Sequence, residues 1–245
     1  MEKKVVFHVP HDGGAMPEEL IRSVCVPRSV FLRYHRLMRD AGALGFVPRG
    51  EGFETVAFPV SRLLCDVERF VGADEPMEAF GMGYCYERVC DGTVVKRPGG
   101  ADRALALAYY RAHHARLDAA VEGLRGRAVL IDVHSFSEAI LVRELLPELR
   151  PLPDVCIGGD GAFLPPAKRE LALRLFQSAG LSTAYNYPYS GSMVPNAVLS
   201  GRSDAELVSV MVEVNKTVYL APDGRPDPRA TGKIRALLAE LAELM

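Results

Sequence analysis

The hydrophobic residues of this chain are concentrated in short runs rich in β-branched side chains. The runs cover residues 5–9, 55–60, 129–133, 155–158 and 208–214. They are apolar at successive positions, and not only at alternate ones, so each strand should be buried on both faces. The pattern therefore predicts strands of a mostly parallel sheet that is covered by helices on both sides.

Helical periodicity lies between these strands. Over about residues 102–124, apolar residues recur three and four positions apart; His114 lies on this stripe, and His113 falls off it. Further helices are predicted over about residues 167–179 and 231–244. The alternation of strands and helices favours an α/β fold, with the 245 residues (1–245) forming one domain.

Composition and charge narrow the possible partners. With 49% hydrophobic residues, the chain can bury a large core without help from disulfides or metals. The 29 basic and 31 acidic residues are spread along the chain, which argues against nucleic acid or a membrane surface as a partner. Since no segment is typical of a secretory signal or a membrane span, we expect a cytoplasmic protein.

Two histidines stand at strand ends, where ligands of α/β folds gather. His11 follows the first apolar run and His134 follows the third. Either one alone is more often a hydrogen-bonded rim residue than a metal ligand, but two strand ends of a parallel sheet can converge. Asp132, two positions before His134, could accept the second ring N–H of a metal-bound imidazole. His8 and His113 are interpreted as structural.

One carboxylate lies inside the last apolar run. Glu213 is costly there unless it is paired or used. Near a metal, it could take a proton from water and deliver it to a leaving nitrogen. The alternative is a salt bridge to Arg62 or Arg69. These arginines could instead anchor a substrate carboxylate, or pair with Asp66 or Glu68.

Several sequence elements occur in a fixed order between about residues 5 and 219. They are Pro10-His11-Asp12-Gly13, Asp40, Ser61-Arg62 with Asp66 and Arg69, Asp132-Val133-His134-Ser135, Asp154-Val155-Cys156-Ile157-Gly158 and Glu213-Val214-Asn215. Together they resemble the N-formylglutamate amidohydrolase family. The resemblance implies a three-layer α/β/α sandwich around a mixed, mostly parallel sheet, akin to the zinc carboxypeptidases.

The resemblance also implies one zinc ion per chain. Its ligands would be His11, His134 and a carboxylate, for which Asp40 matches the aspartate that the family carries on the following helix; Asp12 is the alternative. Side chains expected to support the ligands are Asp132, Ser135 and His114.

The implied activity is hydrolysis of the amide bond of a small, acidic N-acyl amino acid. The first choice is N-formyl-L-glutamate, which gives formate and L-glutamate in histidine degradation. Glu213 would be the catalytic base and acid. Arg69 would bind the substrate's carboxylate, with support from Arg62 and a polar contact from Asn186.

The chain departs from the family pattern at Glu68, where relatives in histidine degradation carry asparagine. An acid at this position changes the charge balance next to Arg69. It supports an alternative in which another zinc amidase or carboxypeptidase acts on a different N-acyl amino acid or a peptide. A second alternative is a catalytically silent relative that only binds ligands.

Overall fold

A six-stranded sheet lies at the centre of the computed structural model, which describes residues 3–72, 74–146, 148 and 150–245. The strands are β1 (Lys3–Val9), β2 (Phe53–Ala57), β3 (Arg127–Phe136), β4 (Val155–Gly158), β5 (Thr183–Tyr185) and β6 (Glu206–Asn215). Their order is β2-β1-β3-β6-β4-β5. Only the β4–β6 pair is antiparallel among the described pairings. The predicted mixed, mostly parallel sheet is confirmed.

The helices connect these strands. They are α1 (Glu18–Ile21), α2 (Arg28–Met38), α3 (Gly100–Val121), α4 (Pro166–Ser178), α5 (Asn196–Leu199), α6 (Lys216–Tyr219) and α7 (Pro228–Leu244). Short 3-10 helices cover Ala43–Phe46, Pro76–Phe80, Glu138–Ile140 and Arg143–Leu145. The start of α7 shows why such a helix begins where it does: the Asp227 side chain accepts from the Ala230 amide at 2.8 Å, and Pro228 follows. Within the described residues, no helix combines the length and apolar character needed to cross a bilayer.

Alternation along the strands creates two cores, one on each face of the sheet. Val5 and Phe7 belong to the core under α4 and α7, together with Val129 and Ile131 of β3. Intervening positions such as Leu130 pack with α3 and α5. This arrangement gives three layers, helices on sheet on helices, and confirms the predicted sandwich.

The same alternation places the polar residues of the central strands. On β6, the α7 face is occupied by valines, and Glu213 therefore faces the α3 side. On β3, Asp132 and His134 share that side, with His134 directly opposite Glu213 in the sheet register. Side chains of β3 and β6 thus meet near the carboxyl end of the sheet, which is where chemistry was expected.

Some boundaries differ from the sequence prediction. The strand predicted over residues 55–60 is wrong at its end, because β2 stops at Ala57 and Val60 makes only an isolated bridge to Ala15. Strand β5, three residues long, was not predicted because so short a segment carries no clear periodicity.

The prediction that His113 falls off the buried face of α3 is wrong. Its side chain is buried, where it bonds to His8 and packs on Phe58.

Candidate metal centre

The segments after β1 and after α2, together with strand β3, bring His11, Asp40 and His134 close to one another. His11 follows β1, whereas His134 lies within β3, which continues beyond the predicted strand end. Asp40 lies just after α2 and not on the helix, and its amide donates to the His11 carbonyl at 3.1 Å. Asp40 Oδ2 is 3.3 Å from His134 Nδ1 and 3.7 Å from His11 Nδ1. One ligand atom from each residue lies within 4.8 Å of the others.

Several buried polar atoms of this cluster, among the described residues, lack a hydrogen-bond partner and could bind a metal ion. In the described part of the chain, His11 Nδ1 and both carboxylate oxygens of Asp40 are buried without a hydrogen-bond partner. Such atoms are costly unless something binds them. Burial alone would raise the pKa of Asp40, but contact with His134 and His11 outweighs it and lowers the pKa to about 2. Two imidazoles and one carboxylate form a donor set that suits zinc.

A carboxylate holds the far side of the His11 ring. His11 Nε2 donates to Asp66 Oδ1 at 2.9 Å, which leaves the Nδ1 lone pair directed at the cluster. Asp66 Oδ2 accepts from Arg62 Nε at 3.2 Å, from Arg62 Nη2 at 2.9 Å and from the Tyr86 hydroxyl at 2.8 Å. Burial would raise the pKa of Asp66, but Arg69, His11 and Arg62 outweigh it and hold the pKa well below its usual range.

A second carboxylate holds the His134 ring, and this support continues deeper into the core. His134 Nε2 donates to Asp132 Oδ1 at 3.0 Å, which is the bond expected from the sequence. The same oxygen accepts from His8 Nδ1 at 2.8 Å, and Asp132 Oδ2 accepts from the Met193 amide at 3.0 Å. His8 Nε2 lies 2.8 Å from His113 Nε2. His134, Asp132, His8 and His113 therefore form a continuous buried chain.

The hydrogen bonds to Asp132 assign two of the ring protons in this chain of residues. Asp132 can only accept, so His134 Nε2 and His8 Nδ1 carry the protons that they share with it. Burial, reinforced by His8 and His114, lowers the pKa of His113 to about 2, so this ring is neutral. One of the two facing Nε2 atoms, of His8 and His113, therefore donates to the other. No local sequence pattern indicates this contact, because 105 positions separate the two residues.

Glu213 faces the cluster from β6. Its side chain is buried, and in the structure as described its Oε2 has no hydrogen-bond partner. Burial raises the pKa of Glu213 to about 8; Asp40 and Glu68 add to this effect, and His134 opposes it. The alternative of a salt bridge between Glu213 and an arginine is wrong, since both candidate arginines lie against Asp66.

The predicted substrate-binding arginines differ in how fully they are engaged. Arg62 makes two hydrogen bonds to Asp66, and 10% of its side chain is exposed. Arg69 lies 3.8 Å from Asp66 and is 18% exposed. Its Nε donates to the Met82 carbonyl at 3.1 Å, and its Nη2 donates to the Tyr86 hydroxyl at 3.4 Å. Arg69 therefore has more freedom than Arg62 to meet a ligand.

Asn186 ties two loops together. Its backbone has a φ of 50°, in the left-handed region that asparagine tolerates better than most residues. The side-chain oxygen accepts from the amides of Gly159 at 3.0 Å and Gly191 at 3.3 Å, and the side-chain nitrogen donates to the Gly159 carbonyl. The contact of Asn186 with a substrate stays a prediction.

Ser135 and His114 act on neighbouring backbone segments. Ser135 points to the opposite face of the sheet, where its Oγ is 2.9 Å from the Tyr219 hydroxyl. Tyr219 donates to the carbonyl of Ala41 at 2.9 Å, so this pair steadies the loop that carries the candidate carboxylate ligand. His114 Nε2 donates to the Val67 carbonyl at 2.8 Å and holds the segment that precedes Glu68.

Asp12, the alternative carboxylate ligand, is occupied elsewhere. Its oxygens accept from the amides of Gly42 at 3.0 Å and Leu44 at 2.9 Å. It also pairs with Arg39 at 2.8 Å. These bonds shape the loop after α2, and they favour Asp40 over Asp12 as the carboxylate of the site.

Comparison with known proteins identifies the family. A family model described as N-formylglutamate amidohydrolase matches residues 3–220. The chain belongs to the N-formylglutamate amidohydrolase family. This membership confirms the resemblance carried by the sequence elements. No match was found among curated proteins.

Two solved structures show the same fold as this family member. An N-formylglutamate amidohydrolase from Ralstonia eutropha is 23% identical, with a TM-score of 0.76 over 97% of this chain and 91% of that one. A gene product from Agrobacterium tumefaciens is 16% identical, with a TM-score of 0.67 over 99% of this chain and 89% of that one. The likeness spans nearly the full length of all three chains.

Proposed function

We propose that this family member hydrolyses the amide bond of an N-acyl amino acid and uses one zinc ion per chain. The family name makes N-formyl-L-glutamate, cleaved to formate and L-glutamate, the first substrate to assay. The observation that carries the proposal is the cluster of His11, Asp40 and His134, whose buried ligand atoms include three without a hydrogen-bond partner among the described residues.

The metal would be held by Nδ1 of both histidines and by the Asp40 carboxylate. When bound, zinc supplies a Lewis acid that activates water and polarises an acyl carbonyl. Asp66 and Asp132 accept from the two Nε2 atoms, so that Nδ1 of each ring, which lies near Asp40 Oδ2, would be available to a metal.

Glu213 would move the proton. Its carboxylate form accepts a proton from the attacking water, and its acid form then donates that proton to the leaving nitrogen. A pKa near 8 lets the side chain hold the proton near neutral pH. The position of Glu213 opposite His134 in the sheet register supports this role.

Arg69 would anchor the carboxylate of the amino acid. Its guanidinium is the more exposed of the two at the site, and the fork of an arginine can bind a carboxylate through two parallel hydrogen bonds. Arg62 supports the site indirectly, because it fixes Asp66, which in turn orients His11.

The proposal is tested with the purified full chain, stripped with a chelator and reloaded with zinc. We expect one zinc per chain and release of formate from at least one N-formyl amino acid. The panel should include N-formyl-L-glutamate, N-formyl-L-glutamine and the matching N-acetyl compounds. The stripped protein is the control and should be inactive until zinc is restored. A protein that holds one zinc and cleaves none of these amides would contradict the proposed function.

A further inference from the structure

We infer that Glu68 determines specificity at this site and disfavours substrates that carry a second carboxylate. The inference rests on the proposed function. The substrate class that fits best is an N-acyl amino acid with one carboxylate and an uncharged side chain. Four observations carry it: where Glu68 lies, what it does not bond to, how it is held, and which cations surround it.

The Glu68 carboxylate lies within 4 Å of a ring nitrogen of each of the two candidate histidine ligands. Its Oε2 is 3.0 Å from His134 Nε2 and 3.9 Å from His11 Nδ1. Its Oε1 is 3.5 Å from His8 Nδ1. Since 14% of the side chain is exposed, while the candidate ligands are at most 3% exposed, the charge of Glu68 reaches the open part of the site.

The ligand rings do not require this charge for their orientation. The protons of His134 Nε2 and His8 Nδ1 are both directed to Asp132, at 3.0 Å and 2.8 Å. Throughout the described structure, the Glu68 carboxylate makes ionic contacts with imidazoles but accepts no hydrogen bond. The negative charge of Glu68 is therefore not needed to orient the imidazole rings, because Asp132 already accepts their protons.

The backbone around Glu68 is held on three sides, so the side chain cannot easily be carried away from the site. The Glu68 amide donates to Asp66 Oδ1 at 3.0 Å. The preceding carbonyl, of Val67, accepts from His114. The Glu68 carbonyl accepts from Arg69 Nη1 at 3.3 Å. A fixed charge acts on every bound substrate, because it does not relax when a like charge approaches.

Side-chain cations at the site are fewer than its carboxylates. Besides Glu213, whose raised pKa lets it hold a proton near neutral pH, the carboxylates are Asp40, Asp66, Glu68 and Asp132. The side-chain cations that act on them are Arg62, Arg69 and Lys216. Arg62 is held by Asp66, and Lys216 donates to the Leu37 carbonyl at 2.9 Å and offsets Asp40. Arg69, the more exposed of the two arginines against Asp66, is left for one carboxylate of a substrate, and neither Arg62 nor Lys216 is free for a second.

The test compares two substrates of nearly the same shape, N-formyl-L-glutamate and N-formyl-L-glutamine, with zinc-loaded protein. We expect kcat/KM to be about tenfold higher for the glutamine compound, the size that a like charge several ångströms away produces at a protein surface. Glu68→Gln should remove most of this preference. Glu240→Gln, an exposed change on α7 behind the opposite face of the sheet, is the charge-matched control and should keep it.

A binding measurement separates this inference from the proposed function. Calorimetry with L-glutamine and L-glutamate should show the same preference in the wild type and its loss in Glu68→Gln, whether or not any amide is cleaved. Equal or better use of N-formyl-L-glutamate by the wild type, with a ratio unchanged in Glu68→Gln, would overturn the inference and leave the proposed hydrolysis intact. If Glu68→Gln does not fold, Glu68→Asn takes its place.

Discussion

The two imidazoles of the candidate metal centre are supported in different ways. His11 is backed by Asp66, which is surrounded by Arg62, Arg69 and a tyrosine hydroxyl. His134 is backed by Asp132, whose partners among the described residues are imidazoles and a backbone amide. The negative charge behind His11 is therefore neutralised by guanidinium groups, whereas among the described residues the carboxylate behind His134 contacts imidazoles and a backbone amide and no guanidinium group.

This difference indicates what each side contributes. On the His11 side, Asp66 is a structural hub, because removing it would leave a buried arginine without its partner. On the His134 side, no arginine or lysine of the described residues pairs with Asp132, and a carboxylate oxygen of Asp132 lies within 4.8 Å of one of Glu68. A metal cation between the rings would offset this negative charge. We therefore expect the His11 side to control mainly stability and the His134 side to control mainly metal and substrate charge.

The largest expected effect comes from removing a ligand on the charged side. His134→Ala should lose stoichiometric zinc and with it all measurable hydrolysis. This loss exceeds the decrease of up to roughly 100-fold that follows when a hydrogen bond to a metal ligand is removed. Elemental analysis after gel filtration measures it. His35→Ala, at a buried histidine that bonds to Ser61, is the matched control and should retain zinc. Full zinc occupancy in His134→Ala would show that His134 is not a zinc ligand.

Glu213→Gln tests the proton-transfer role and separates chemistry from metal binding. We expect kcat to fall by about 10²–10⁴, the usual contribution of a general acid or base, with zinc content unchanged. Steady-state rates with the preferred N-formyl amino acid provide the measurement. Glu206→Gln, at the exposed start of the same strand, should leave kcat as in the wild type. A wild-type rate in Glu213→Gln would exclude it as the catalytic base.

Paired substitutions of the two supporting carboxylates test the comparison directly. Asp66→Asn should destabilise the chain by about 3–5 kcal/mol, because Arg62 is buried and would lose its partner. Asp132→Asn leaves no buried arginine unpaired and should cost about 1–3 kcal/mol. Urea denaturation of zinc-free protein measures both. Equal losses would mean that the two sides do not differ as we describe.

The smallest effect is expected at the far end of the histidine chain. His113→Leu leaves His8 Nε2 without its hydrogen-bond partner, which should cost about 1–3 kcal/mol of stability. Zinc affinity should fall by less than about tenfold. Tenfold is roughly the smallest loss expected when a group that hydrogen-bonds directly to a metal ligand is removed. Chelator competition measures the affinity, and Arg111→Leu, on the exposed side of the same helix, is the control. A larger loss of affinity would show that the chain acts on His134 over its full length.

Much of the fold could be predicted from local pattern. Continuous apolar runs identified β1, β3, β4 and β6, because strands buried on both faces cannot hide polar residues. The end of β2 and the whole of β5 could not be predicted, since pairing with a neighbouring strand, and not local composition, decides where short edge strands stop.

The candidate site was predictable only in part. The positions of His11 and His134 near strand ends, and of Asp132 two residues before His134, follow from the period of a β-strand. The role of Asp66 did not follow, because it depends on a contact with His11 across 55 positions. Nor could periodicity reveal that His113 is buried, since a polar ring can enter a core when it finds a hydrogen-bond partner there.

The sequence by itself thus determined the family, the class of fold and the residue types available at the carboxyl ends of the strands. Only the tertiary structure decided which carboxylate supports which imidazole, which arginine is the more exposed, and that Glu68 faces both candidate ligands. The physical reason is that strand periodicity acts over a few neighbouring positions, whereas charge pairing and hydrogen bonding join side chains that meet only after the sheet and its covering helices have packed.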